Sequence, residues 1–338
     1  MQAFLDPVIL FFVFGMFAGS VKSNLEIPPQ ISRFLSLYLL MSLGLKGGFA
    51  LAKSGFSMEI VTPLACAVML AFLIPVAGYQ LLRKIIPEFD AAALAATYGS
   101  VSAVTFITAT QFLDQHQIAF GGHMAAAMAL MESPAIIVAL IFASVLRQGS
   151  VSLTNLHAVH GAIVLGRGNS APVFPLKKVI HEALTDGTQL LLLGALLIGL
   201  VTGESGKIAL QPFSGDLFKG MLAFFLLDMG LHAARSMSEV KGIPKALYLY
   251  AVGAPIVHAL FTLILCRALS LNVGDGILLM VLAASASYIA VPAVLRHAMP
   301  EARVALYTGM PFAITFPFNV LVGIPLYAYL GRSFLGQG

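Results

Sequence analysis

Long apolar runs, separated by short clusters of charged or turn-forming residues, recur along almost the whole chain. A membrane-spanning helix needs roughly 20 mostly apolar residues. On that scale the pattern predicts spans at 8–21, 31–52, 58–82, 91–113 and 118–146, then at 188–203, 214–235, 246–268, 274–295 and 303–330. The one long hydrophilic stretch, 147–187, lies between the two sets. The expected organisation is therefore a first five-helix repeat (1–146), a linker (147–187) and a second five-helix repeat (188–338).

The same punctuation returns about 183 to 187 residues later. Ser42-Leu43-Gly44-Leu45-Lys46 lines up with Asp228-Met229-Gly230-Leu231-His232. Tyr98-Gly99-Ser100-Val101-Ser102 falls opposite Ala284-Ser285-Ala286-Ser287-Tyr288, and Met131-Glu132-Ser133-Pro134 opposite Ile314-Thr315-Phe316-Pro317. An odd number of spans per half forces the second half to insert upside down, which gives inverted repeats. Transporters use that arrangement for alternating access, with the site near the midplane where interrupted helices meet.

Composition agrees with the pattern. The chain is 59% hydrophobic and 10% charged, with a mean hydropathy of +0.93, against about a quarter charged in soluble domains. Lys and Arg favour cytoplasmic loops, and 13 of the 19 fall on one side if the N-terminus is outside. Both termini are thus expected outside, with the linker inside. Residues Met1 to Asp6 carry no basic group, so the first apolar run is read as a retained helix rather than a signal peptide. Scattered basic residues without interleaved aromatics exclude a nucleic-acid surface. Cys66 and Cys266 fall inside spans and read as small packing groups.

Candidate chemistry lies at membrane depth. Segment 97–105 concentrates hydroxyl residues around Gly99, and 283–292 mirrors it and ends in Pro292. A helix broken there exposes amide N–H groups to an anion and frees carbonyls and hydroxyls for a cation. A tightly packed helix pair with self-bonded Ser and Thr remains the alternative. Ionisable residues in apolar spans are costly and mark pathways. Glu132 is the clearest and suits a cation or proton. Asp228 sits one turn from His232 and reads equally as a structural pair. His258 reads as a packing residue. His157 and His160 lack further ligands for a metal, and Gly166-Arg167-Gly168-Asn169 lacks the context of a dinucleotide-binding turn. With no phosphate-binding loop, transport driven by a gradient is expected, and with no nucleophile and base pair, an enzyme is not.

These residues resemble the sodium-dependent bicarbonate transporter family, best known from cyanobacterial inorganic-carbon carriers. The resemblance rests on Leu43-Gly44-Leu45-Lys46-Gly47-Gly48, Tyr98 to Ser102, Met131 to Ala135, Ala254-Pro255-Ile256-Val257-His258, Ala283 to Ser287 and Pro292 to Arg296. It implies an all-α integral membrane fold of ten helices, with gate and core domains and crossed, unwound fourth and ninth helices. It also implies a bacterial inner membrane location, a homotrimer, sodium as coupling ion and, in some members, a PII-like regulatory partner. Three residues depart from that pattern: Tyr288 replaces an acid, Ala286 a serine, and Glu132 an aspartate.

The expected activity is gradient-driven carriage of bicarbonate or a similar small anion. Gly99, Ser100, Val101, Ser102, Thr105, Ser285, Ala286, Ser287 and Tyr288 would form the anion site. Glu132 and Thr315 would hold sodium. A carrier of another small organic solute and a membrane anion sensor are the rival readings.

Overall fold

A computed structural model describes residues 6–54, 58–156, 187–238 and 240–336. All regular elements among them are helical. In chain order they are α1 (Pro7–Ser20), α2 (Pro29–Ser54), α3 (Met58–Leu82), α4 (Glu88–Gly99), α5 (Ala103–Gln115), α6 (Met124–Leu156), α7 (Gly187–Leu210), α8 (Phe218–Ser236), α9 (Lys245–Ala268), α10 (Val273–Ala284), α11 (Ala290–Ala298) and the run α12 (Ala305–Leu335). Seven helical stretches among the described residues are long and apolar enough to cross a membrane, and α1 and α10 are shorter apolar helices. His157, His160 and the 166–169 segment lie outside the described residues, as does most of the 147–187 linker. Its first part belongs to α6, which continues to Leu156.

The predicted boundaries mostly hold within a few residues, and the interruptions in the spans have physical causes. The fourth and ninth spans are each broken into two helices, α4–α5 and α10–α11. Stretch 187–236 would measure about 75 Å as one helix, far beyond a hydrocarbon core of roughly 30 Å. It breaks at Gly203, whose φ of 53° is the left-handed conformation that glycine adopts freely, and again in a π turn at Gln211–Asp216. In α12, π turns at Ala305–Gly309, Pro311–Thr315 and Asn319–Gly323 alternate with α turns. Pro311, Pro317 and Pro325 each remove a donor and crowd the preceding turn, and wider turns relieve that clash.

Glycine sets the closest helix contacts. A Cβ on Gly44 would meet Leu192 and Leu196, and one on Gly48 would lie 2.2 Å from the Leu196 carbonyl and close to Leu200, so α2 and α7 run parallel. The same advance from Gly15 against Leu227 to Gly19 against Ala234 makes α1 and α8 parallel. Small residues let membrane helices approach this closely. In α4, Ala91 to Ala96 are all buried, enclosed by α3, α6 and α12. The outer faces are apolar: Leu249 and Ile264 on α9 are 75% and 70% exposed, as lipid contact requires.

Two carboxylates tie helix starts to distant loops. Asp90, in the first turn of α4, accepts from the Arg303 backbone N–H at 2.7 Å and from its Nε at 2.8 Å. Asp275, in the first turn of α10, accepts from the Gly121 N–H at 2.6 Å, and its other oxygen lies 3.2 Å from His123 Nε2. Beside the first clamp, Arg147 binds Glu301 at 2.9 Å and the Ala298 carbonyl at 2.8 Å. Its guanidinium holds the Glu301 carboxyl below the usual carboxylate range. Because Asp90 is buried and Arg303 is half exposed, Asp90→Ala is expected to cost about 2 kcal/mol. Asp90→Asn, which keeps an acceptor for the Arg303 N–H, should lose less. Thermal unfolding of the detergent-solubilised protein would measure both.

Candidate anion and cation site

The breaks in the fourth and ninth spans abut one another. Ser102 donates its backbone N–H to Ser285 Oγ at 3.0 Å, and Ser287 donates its own to the Thr97 carbonyl at 2.8 Å. Non-helical backbone at membrane depth is tolerated where protein buries it or where it lines a cavity, and both conditions hold. Ser100, Val101, Ser102, Ser285, Ala286 and Ser287 are all buried. A cavity of about 100 Å³ is walled by Val101, Ser102, Ser287 and Tyr288 from the breaks, Ser36 and Leu40 from α2, Met128 and Glu132 from α6, and Thr188 and Gln189 from α7.

Each break restarts as a helix whose first turn donates an amide to a serine of the break, Ser102 at the N-cap of α5 and Ser287 two residues before the N-cap of α11. Ser102 Oγ accepts from the Thr105 N–H at 3.2 Å and from its hydroxyl at 3.0 Å. Ser287 Oγ accepts from the Val291 N–H at 3.2 Å. Ala103, Val104 and Ala290 also line the cavity. They begin α5 and α11, where first-turn amides lack intrahelical acceptors and the helix dipole is positive. Pro292 follows the break in the first turn of α11, where a missing donor costs nothing.

Of the residues proposed from sequence, Val101, Ser102, Ser287, Tyr288 and Glu132 meet at the cavity. Ser285 and Thr105 stand behind it, bonded to Ser102. Ser100 is buried with an unpartnered hydroxyl, and Ala286 packs into the core around Tyr98. Gly99 ends α4, and a Cβ there would strike the Pro75 ring at 2.5 Å, so its small size serves helix contact. Thr315 does not join Glu132 at the cavity. It donates to the Ala251 carbonyl at 2.7 Å and accepts from the Tyr98 hydroxyl at 2.5 Å. The sequence pairing also shifts by one residue. α4 and α10 are each 12 residues long, so Gly99 matches Ala284, Ser100 matches Ser285 and Ser102 matches Ser287.

Sequence reasoning missed Ser36, Thr188, Gln189 and Asn319. Asn319 donates to the Ala284 carbonyl at 2.8 Å and so caps the end of α10, and Tyr327 donates to Asn319 Oδ1 at 3.0 Å. The signal for each was a polar residue flanking or interrupting an apolar run. Asp228 approaches His232 at 3.3 Å on α8, away from the cavity. The His258 Nδ1 is buried without a partner in α9. Among the described residues no group of three or more His, Cys, Asp or Glu side chains is placed to hold a metal.

Apolar spanning helices around a small, amide-rich cavity define a multi-pass membrane protein of the transporter class. The match of residues 7–332 to a family model is more specific: the chain belongs to the Na+-dependent bicarbonate transporter superfamily. Comparison with curated proteins gave no match.

Proposed function

We propose that the protein is a sodium-coupled carrier of bicarbonate or a similar small anion, and that the cavity between the two breaks is its anion site. The observation that carries this reading is the cavity wall, which Glu132 shares with two helix N-termini and the serines that bond their first-turn amides. An anion gains from the amides and hydroxyls but meets the charge of Glu132. In a cavity of about 100 Å³ any occupant sits close to every wall group. At roughly 6 Å and an effective dielectric near 20, that repulsion costs about 3 kcal/mol. A cation held at Glu132 removes it, so cation and anion each favour the other's binding, as coupling requires.

Alternating access is read from inverted repeats. Counting α1, counting α10–α11, and dividing 187–236 at Gly203 brings the seven long stretches to ten spans. A two-fold exchange would carry the parallel pair α1–α8 onto α7–α2. It would carry the Asp90 clamp, set just before α12, onto the Asp275 clamp, set just before α6. It would also interchange Ser102 and Ser287, whose amides reach into the opposite half while their hydroxyls accept from first-turn amides of the following helix. The charge bias of the loops supports termini outside in a bacterial inner membrane. From the family we carry over the gate and core domains, a homotrimer and a PII-like partner at the linker side.

Equilibrium binding of labelled bicarbonate to purified protein in detergent tests the site. Sodium in place of choline should raise the affinity at least tenfold, and Ser102→Leu should remove binding while the protein elutes as one assembled species. Absence of bicarbonate binding in sodium, or normal binding by the variant, would overturn the assignment. Binding without uptake would favour the sensor reading.

A further inference from the structure

The cavity between the breaks is one of two that follow the same groove. Along α2 the wall passes from Ser36 and Leu40 to Leu43, Lys46 and Ala50. Along α5 it passes from Val104 to Phe106, Thr110 and Asp114. The second set lines a cavity of about 280 Å³ closed by the loop at 118–122. A third cavity, of about 430 Å³, adjoins it and contains Lys53, Lys207, Glu204 and Asp216, the last accepting from Gln211 at 3.1 Å. Lys46 is the one charged side chain common to the second and third cavities, half buried, with its Nζ 3.9 Å from the Phe218 ring centroid. Between Lys46 and the central cavity the wall is apolar, formed by Leu40, Leu43, Val104, Phe106 and Met128. On α2 that barrier, Leu40 to Leu43, spans only about 5 Å.

We propose that Lys46 forms a second anion site, an entry station from which a small monovalent anion reaches the central cavity through this thin apolar barrier. The proposal rests on the carrier reading and adds a residue and a route to it. A half-buried ammonium holds an anion more firmly than an exposed one because water screens it less. Lys207 is engaged by Glu204 at 3.4 Å. The acid facing the second cavity, Asp114, is exposed at the rim and acts electrostatically on Lys46 across it, so an arriving anion competes with that carboxylate for the ammonium. With the termini outside, this vestibule opens to the outside, and Lys53 extends its positive field.

Two measurements test the station. In proteoliposomes, Lys46→Gln should raise the KM for bicarbonate about tenfold with kcat changed less than threefold, whereas Lys46→Arg should stay within threefold of the parent KM. Separately, Ala119→Cys places a thiol in the same cavity, while Cys66 and Cys266 are buried. An anionic thiosulfonate reagent should modify it faster than a cationic one. Bicarbonate should slow that reaction, and adding Lys46→Gln should erase the preference at least fivefold. The labelling needs no turnover, so a parent that labels as expected but does not transport would sink the carrier reading and spare the anion site. A parent that transports, with a Lys46→Gln variant of unchanged KM and unchanged reagent preference, would overturn the station.

Discussion

Replacing Glu132 by Gln should uncouple anion binding from sodium without abolishing it. With the carboxylate in place, sodium is expected to raise bicarbonate affinity by about a hundredfold, the equivalent of the 3 kcal/mol that its charge costs the anion at roughly 6 Å. Without the charge, sodium should change affinity by less than threefold. Bicarbonate binding in choline should then become tighter than in the parent. Titration of both proteins with and without sodium reads this directly. A loss of affinity in both media would instead mean that Glu132 supports the fold or the anion itself.

The second large effect concerns the α2–α7 pair. At Gly48 the first carbon of any side chain would overlap the Leu196 carbonyl at 2.2 Å and the Gly199 Cα at 2.8 Å, atoms that cannot rotate away. Gly48→Leu should therefore separate the helices and cost about 3 kcal/mol or more, roughly 4 °C or more in a protein of this size. Because Ser36 and Leu40 on the same helix wall the central cavity, bicarbonate binding should fall as well. Gly194→Leu is the control, since that position on α7 has nothing within 4 Å. Similar melting temperatures for the two variants would contradict the close contact.

Much of this was legible in the sequence because lipid imposes a simple rule. Apolar runs long enough to span must be helical, and the third span, 58–82, is found at those same limits. The breaks were legible as well, since hydroxyl and small residues at 97–105 and 283–292 are poor investments in mid-membrane unless the backbone opens there. What failed depended on three-dimensional phase. Runs such as Ala-Ser-Ala-Ser repeat every two residues, so they fit equally well in neighbouring registers. Only helix length, ending at Gly99 and Ala284, sets the match. Thr315 matched Glu132 in sequence, but the π turns of α12 rotate later residues relative to an α-helix, and Thr315 faces Tyr98 and α9 instead. Gln189 was hidden for another reason. It belongs to a helix of the other half, and only the packing of α7 on α2 brings it to the cavity.

The central claim, that the two broken helices frame the anion site of a sodium-coupled carrier, is tested most directly by uptake of labelled bicarbonate into proteoliposomes. An inward sodium gradient should drive accumulation above equilibrium in the parent protein. Removing the gradient, or introducing Ser102→Leu, should reduce uptake to the level of empty vesicles. Accumulation that ignores the sodium gradient, or that persists undiminished in a folded Ser102→Leu variant, would contradict the claim.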